Sequence, residues 1–390
     1  MEFFSGLNFW LLLIILSIPA IFLGIKEKKN KYYILFSSLV FCFLVYSKNI
    51  NSLIYLVIFL IYEYMLIKVY LRLKIEKNCG RVSIFVILSL VPLFISRILP
   101  ILEIDYKFGF LGISYITFKV MQILVEIKDN MIKDVNFIDY LSFMIFFPTL
   151  SSGPIDRSRR FVKDIEKTIS KNEYLDNLGK GIEYILQGLV YKVILSQLIF
   201  DKINIISEAT YTFENLTIYM YLYGFYLFFD FAGYSLMAVG VSKIFGIDTP
   251  MNFNKPFLAK DMKDFWNRWH MSLSHWFRDF VFSRLVFAMF KKKIFKNSLT
   301  TAMVAYIVNM TLMGVWHGLN FSYLLYGLYH GIILAITEYL QKTKFYKNNK
   351  NKKWFEYSSI FITFNLVMFG FFIFSEKFVY VFQVIGGRLW

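Results

Sequence analysis

Ten apolar runs follow one another along this chain, and they leave little choice of fold. A helix needs about 20 predominantly apolar residues to cross ~30 Å of hydrocarbon. Residues 7–25 (LNFWLLLIILSIPAIFLGI) meet that length, and further runs lie near 32–46, 52–71, 82–101, 108–127, 182–200, 217–242, 300–317, 321–340 and 356–375. Basic residues follow the first run instead of preceding it, and no small-residue cleavage site stands out. It therefore reads as a retained span and not as a signal peptide. With 57% hydrophobic and only 18% charged residues, the 390-residue chain has no room for a large soluble domain. The expected fold is an all-α polytopic membrane protein with about ten or eleven spans.

The formal charge of +16 would suit a nucleic-acid binder, but its distribution argues otherwise. Lys26, Lys28, Lys29 and Lys31 crowd one short loop, and Lys68, Arg72, Lys74, Lys77 and Arg81 another. Both belong in the cytoplasm if the N-terminus is outside. Lys48 alone marks the 47–51 loop, and Glu103 and Asp105 oppose Lys107 in 102–107. These loops, with Asp201, Glu208 and Glu214, are expected on the outer side, and the basic 341–353 loop inside.

Strict alternation then fails twice. Residues 137–150 (FIDYLSFMIFFPTL) are short for a span, end at Pro148 and Gly153-Pro154, and precede Arg157, Arg159, Arg160 and Lys163. Residues 280–290 (FVFSRLVFAMF) lie between Lys263 and Arg268 on one side and Lys291, Lys292, Lys293 and Lys296 on the other. Re-entrant or in-plane segments resolve both conflicts. Non-helical backbone at depth requires protein or a watery cavity around it, so a cavity is expected. No internal repeat supports an inverted-repeat transporter.

Chemistry concentrates in the last third, which holds all four histidines. Read as one helix, 261–280 (DMKDFWNRWHMSLSHWFRDF) puts Trp266, Trp269, Leu273, Trp276, Phe277 and Phe280 on one arc. Arg268, Ser272, His275 and Asp279 fall opposite, an amphipathic pattern suited to a membrane interface. His275, central on the polar arc, reads as a solvated imidazole; His270, at the edge of the apolar arc, is either structural or functional. His317 ends an apolar run before Gly318, and an ionisable group within a span is a functional candidate. His330 reads as a packed, hydrogen-bonded histidine, and Asp230 inside the 217–242 run needs a partner. Cys42 and Cys79 cannot make a disulfide framework or a thiolate-rich metal site. The histidine spacings suggest no local metal site, and nucleophile-elbow, HExxH, GxGxxG and Walker motifs are absent. The simplest enzymatic chemistry left is general-base activation of a hydroxyl by a neutral imidazole.

Five segments carry a family resemblance: GISYITFKVMQ (112–122), FFPTLSSGPIDRSRRF (146–161), FFDFAGYSLMAVG (228–240), PFLAKDMKDFWNRWHMSLSHWFRDFVFSRL (256–285) and LMGVWHGLNFSYLLYGLYHG (312–331). The chain resembles the membrane-bound O-acyltransferases, and SSGPIDRSRRF with the compact length resembles the teichoic-acid D-alanylation branch. The first hundred residues share only their apolar character. The resemblance implies one domain over 1–390, with N-terminal spans in 1–107, a motif-bearing core in 108–340 and a last loop and span in 341–390. It implies a ring of tilted helices around a funnel and tunnel. His317, in the family's W-H-G motif, becomes the expected base, and His270, in R-W-H, its assistant. The implied donor is D-alanine on the phosphopantetheine thioester of an acidic cytosolic carrier protein, with no permanently bound cofactor. The implied acceptor is an outer hydroxyl, of teichoic acid itself or of a relay protein. Val281, Val286, Met289 and Phe290 with Lys291, Lys292 and Lys293 would suit carrier docking; equally, these lysines obey the positive-inside rule and meet anionic lipid. An O-acetyltransferase of an exported polysaccharide, a transporter or flippase, and a scaffold for partner enzymes are the alternative readings.

Overall fold

The computed structural model describes residues 4, 6–77, 81–103, 108–207 and 212–386. Among them there is no strand. Every expected span falls on helix: α1 (Gly6–Ile25), α2 (Lys31–Tyr46), α3 (Ile50–Lys77), α4 (Val82–Ile98), α5 (Ile113–Lys128), α8 (Lys171–Leu189) running on through a π-helical turn into α9 (Ser196–Ser207), α10 (Phe213–Ile244), α14 (Ser298–His317), α15 (Phe321–Leu340) and α17 (Lys353–Phe374). Five of these, α1, α3, α10, α14 and α17, are long and apolar enough to cross a membrane by length and composition alone. Their outward faces agree: Leu11, Ile14, Ile15, Ile18 and Phe22 of α1 are exposed, as are Ile54, Val57, Ile58 and Ile61 of α3. Apolar surface on that scale needs lipid, not water, around it.

The chain forms two compact units, one of Met1–Leu189 with Gly233–Met251 and the other of Val190–Ala232 with Asn252–Trp390. In the first, polar contacts sort the loops by end. Lys29 and Lys31 pair with Glu166 at 3.0 and 2.6 Å, Lys31 also with Asp139, and Lys68 with Asp134 at 2.8 Å. Lys31 and Lys29 hold the Glu166 carboxyl below its usual value. At the other end, the Tyr46 hydroxyl donates to Leu111 O (2.6 Å), and Tyr55 packs on Phe108. The described parts of the 26–31 and 68–81 loops thus share one end, opposite 47–51 and 108–111. Asp105 and Lys107 lie outside the described residues, as do Cys79 and Glu208.

The 137–150 segment stays short for a physical reason. Asn136 caps α6 (Phe137–Met144) by accepting from Ile138 N at 2.8 Å. At the other end Lys119 Nζ donates to Phe143 O at 2.8 Å. An ammonium there satisfies a terminal carbonyl and opposes the negative end of the helix dipole, so the backbone can stop while buried. A three-residue 3-10 turn (Phe147–Thr149) follows, buried like Phe143 through Phe147. Gly112 closes against it: its φ is +90° and a Cβ would sit 2.2 Å from Leu150 O. Among ordinary residues only glycine fits there.

In the second unit α14 and α15 form a hairpin packed through small residues. A Cβ on Gly314 would meet Tyr323 O at 2.3 Å, one on Gly327 Met310 O at 2.5 Å, and one on Gly331 Ile307 Cα at 2.8 Å. Backbones approach this closely in membranes because close packing, not water exclusion, joins spans. The Tyr329 hydroxyl donates to Leu366 O (2.8 Å) and fixes α15 to α17.

The 261–280 stretch departs from the single helix expected. It is α11 (Met262–Trp266), a turn, α12 (Met271–Phe277), a π-helical turn over Arg278–Phe282 and α13 (Ser283–Lys291). Trp266, Trp269, Leu273, Trp276 and Phe277 are buried in protein instead of lying at an interface. A unit short of polar surface uses its aromatic rings as core. Residues 280–290 therefore contain a short helix after a π turn, too short to cross.

Candidate active site

His270 sits where the helical pattern breaks. Its φ of 44° and ψ of 50° are left-handed, an uncommon conformation for a residue with a Cβ. Neighbouring backbone holds it there. Met271 N donates to Asn252 O (2.9 Å), Asn254 N to Arg268 O (2.9 Å), and Ser272 donates through Oγ (2.6 Å) and N (3.2 Å) to Asn252 Oδ1. Asn252 is buried, so its side chain is a fixed brace. The His270 ring meets Phe231 edge-on at 4.6 Å, and its Nε2 is buried with no protein partner. His270 lies outside the spanning helices. Burial pushes its imidazole well below the usual value and the nearby His317 lowers it further, so the ring is neutral.

His317 ends α14 and is half-buried. Gly318 leaves the helix with extended backbone, and Asn320 caps α15 by accepting from Tyr323 N (2.9 Å). The imidazole lies among Trp316 (4.6 Å), Phe374 (5.1 Å), Tyr323 (6.2 Å) and Tyr326 (6.2 Å), measured between ring centroids. One turn of α17 joins the histidines: Phe374 touches His317, Phe371 packs 4.6 Å from Trp269, and a Cβ on Gly370 would reach His330 Nε2. Two candidate residues 47 positions apart in the sequence thus share one aromatic cluster. One imidazole is buried and neutral and the other half-buried.

The remaining candidates separate. His330 is fully buried against Tyr326 (4.5 Å) and Trp266 (5.4 Å), but neither ring nitrogen has a protein partner, so the expected hydrogen-bonded histidine is corrected to an aromatic-caged one. His275 is half-buried on α12. Asp230 finds its partner in Lys192, an ion pair whose lysine stands on the π-helical turn Val190–Leu195. Both side chains are partly exposed within otherwise apolar segments, and each neutralises the other's charge there. Sequence reading passed over Asn252 and Lys192; a buried amide beside W-H and a lysine inside an apolar run were the available signals.

The second unit also has two ends. Lys263 pairs with Glu338 and Lys260 with Glu356 (2.7 Å) at the start of α14, where Lys291, Lys292 and Lys293 lead in. Ile203 and Tyr219 pack with Phe372 at the His317 end, which places Asp201 and Glu214 there. Val281 on the π-helical turn and Val286 on α13 are half-buried, Met289 is buried, and Phe287 and Phe290 are exposed. Phe287, not Met289, presents the apolar surface.

A helical membrane protein with two histidines in one buried aromatic cluster matches a known class. The membrane-bound O-acyltransferase family profile covers residues 125–383, and the chain belongs to that family. It is 45% identical over 387 residues to the teichoic acid D-alanyltransferase of Bacillus subtilis, covering 96% of this chain and 98% of that one. The protein of the same name from Streptococcus thermophilus is 38% identical, over 95% and 94%. A probable alginate O-acetylase of Pseudomonas aeruginosa is 30% identical over 68% of this chain but 49% of its own. The likeness to the first two extends into the first hundred residues, where sequence reading found only shared apolarity.

Proposed function

We propose that this chain transfers D-alanine to a hydroxyl acceptor for the D-alanylation of teichoic acid, taking it from a phosphopantetheine thioester on an acidic cytosolic carrier protein. The observation that carries the reading is likeness over almost the whole of two teichoic acid D-alanyltransferases, against half of an alginate O-acetylase. In this reading the basic ends of both units face the cytoplasm, the N-terminus is outside, and the His317 end faces the acceptor. Phe287, Phe290 and the lysines after them suit an acidic carrier.

The step needs no metal. His317 takes the hydroxyl proton as the oxygen attacks the thioester carbonyl; the C–O ester bond forms, the C–S bond breaks, and the proton ends on the departing thiol. His270, neutral and fixed, orients the acceptor or the carbonyl through Nε2. A positioned base contributes ~10²–10⁴-fold to such an attack. The test is the full chain in vesicles, supplied with carrier charged with labelled D-alanine and an acceptor. His317→Ala should lower ester formation by ~10²-fold or more while carrier binding persists. Unchanged ester formation would remove His317 as base, and a wild-type chain that leaves the thioester intact would overturn the enzymatic reading in favour of transport.

A further inference from the structure

A cleft of about 280 Å³ opens between the C-terminal half of α15 and the N-terminal half of α17, away from the histidine cluster. Ile333, Ile336 and Leu340 form one wall, Ile362 and Leu366 the other, and Phe355 closes one end. Helix α16 (Lys344–Asn349) lies beside it, with Phe345 and Tyr346 packed 5.9 and 5.5 Å from Phe355. Ile336, Leu340, Phe345 and Ile362 are exposed, so the cleft opens sideways along two apolar helices. A groove of this kind at span depth takes an acyl chain.

The charge at its mouth specifies the rest of the ligand. Residues 341–353 carry six lysines and no acid. The neighbouring carboxylates are already engaged: Asp261, which lines the cleft beside Lys260, accepts from Gln341 (2.8 Å), Glu338 pairs with Lys263 and with Lys342 (3.7 Å), and Glu356 pairs with Lys260. Lys344, beside the cleft-lining Thr343, and the four lysines after it in 347–353 therefore outnumber the acids at this end, whereas Lys342 already shares Glu338. We propose that this cleft is a binding site for an anionic glycerophospholipid of the leaflet at this end, one acyl chain between α15 and α17 and its phosphate on the lysines of 342–353.

The experiment reconstitutes the full chain in phosphatidylcholine vesicles with a trace of phospholipid carrying a photoreactive diazirine in its acyl chain, as phosphatidylglycerol or as phosphatidylcholine. Cross-linked peptides are mapped by mass spectrometry. The phosphatidylglycerol probe should label 333–346 and 355–366 in preference to other lipid-facing segments, about fivefold over phosphatidylcholine for each lysine engaged. Ile362→Trp fills the cleft from its exposed side and should remove that labelling. Lys342→Gln with Lys344→Gln, both on the surface, should abolish the headgroup preference and leave chain labelling. Equal labelling by the two probes in the wild type, or labelling unchanged in the Ile362→Trp protein, would show only bulk lipid at this face and overturn the proposal.

Discussion

Replacing Gly314 with alanine adds one methyl group and removes no functional group, yet it should damage catalysis through geometry alone. Gly314 precedes His317 by three residues on α14 and faces α15. The new Cβ would lie 2.3 Å from Tyr323 O and 3.1 Å from Gly327 Cα, both backbone atoms of the packed hairpin. No rotamer relieves that contact, so the helices must part by roughly 0.7 Å before it reaches even 3.0 Å. Overpacking of this kind costs about 1–3 kcal/mol. The shift falls where Tyr323 and Tyr326 flank His317. A misplacement of ~1 Å at a reacting group costs on the order of 10²-fold, so a loss of ~10- to 100-fold in transfer is expected. The assay is ester formation in vesicles, normalised to inserted protein, with carrier binding measured alongside. Gly179→Ala is the control: it lies on α8 with nothing within 4 Å of its Cβ and should leave transfer unchanged. Wild-type turnover in the Gly314→Ala protein would show that the α14–α15 approach does not position His317.

Asn252→Ala deletes the acceptor of both Ser272 hydrogen bonds that brace the His270 turn, and should cost about 1–3 kcal/mol of stability. Transfer should fall further than the loss of folded protein explains, and a fall matching only that loss would deny the brace a role in catalysis. The pH dependence of stability follows from His270, whose folded-state value is lowered. Below about 6.5 the unfolded chain takes up a proton that the buried ring refuses, so stability falls as pH falls, by up to ~1.4 kcal/mol per unit from this group. Thermal unfolding in detergent between pH 7.5 and 5.5 should show a smaller acid loss in His270→Gln than in the wild type; parallel curves would mean that His270 is accessible to protons when folded.

Much of this protein is legible as sequence because lipid is an undemanding but strict solvent. Backbone groups in hydrocarbon must be paired within the segment, so an apolar run of sufficient length becomes a helix whatever its neighbours do. That rule places the ten runs, and loop lysines sort the loops of the first unit by end. Periodicity misled at 261–280 because it assumes an unbroken helix. Asn252, remote in sequence, supplies the hydrogen bonds that hold His270 left-handed and split the stretch in two. The residues able to do chemistry could be named from their cost of burial, but not their grouping. His317 and His270 meet in one cluster because Phe371 and Phe374 stand a turn apart on α17, and His317 holds its place because three glycines let α14 and α15 close. Likewise Asp230 announced its need of a partner, whereas Lys192 became that partner only through folding. Composition and hydropathy act residue by residue along the chain, so sequence alone determined which long apolar runs are helices and which side chains were costly to bury. Side-chain packing acts between segments distant in sequence, and only the tertiary structure decided which of those side chains share a site.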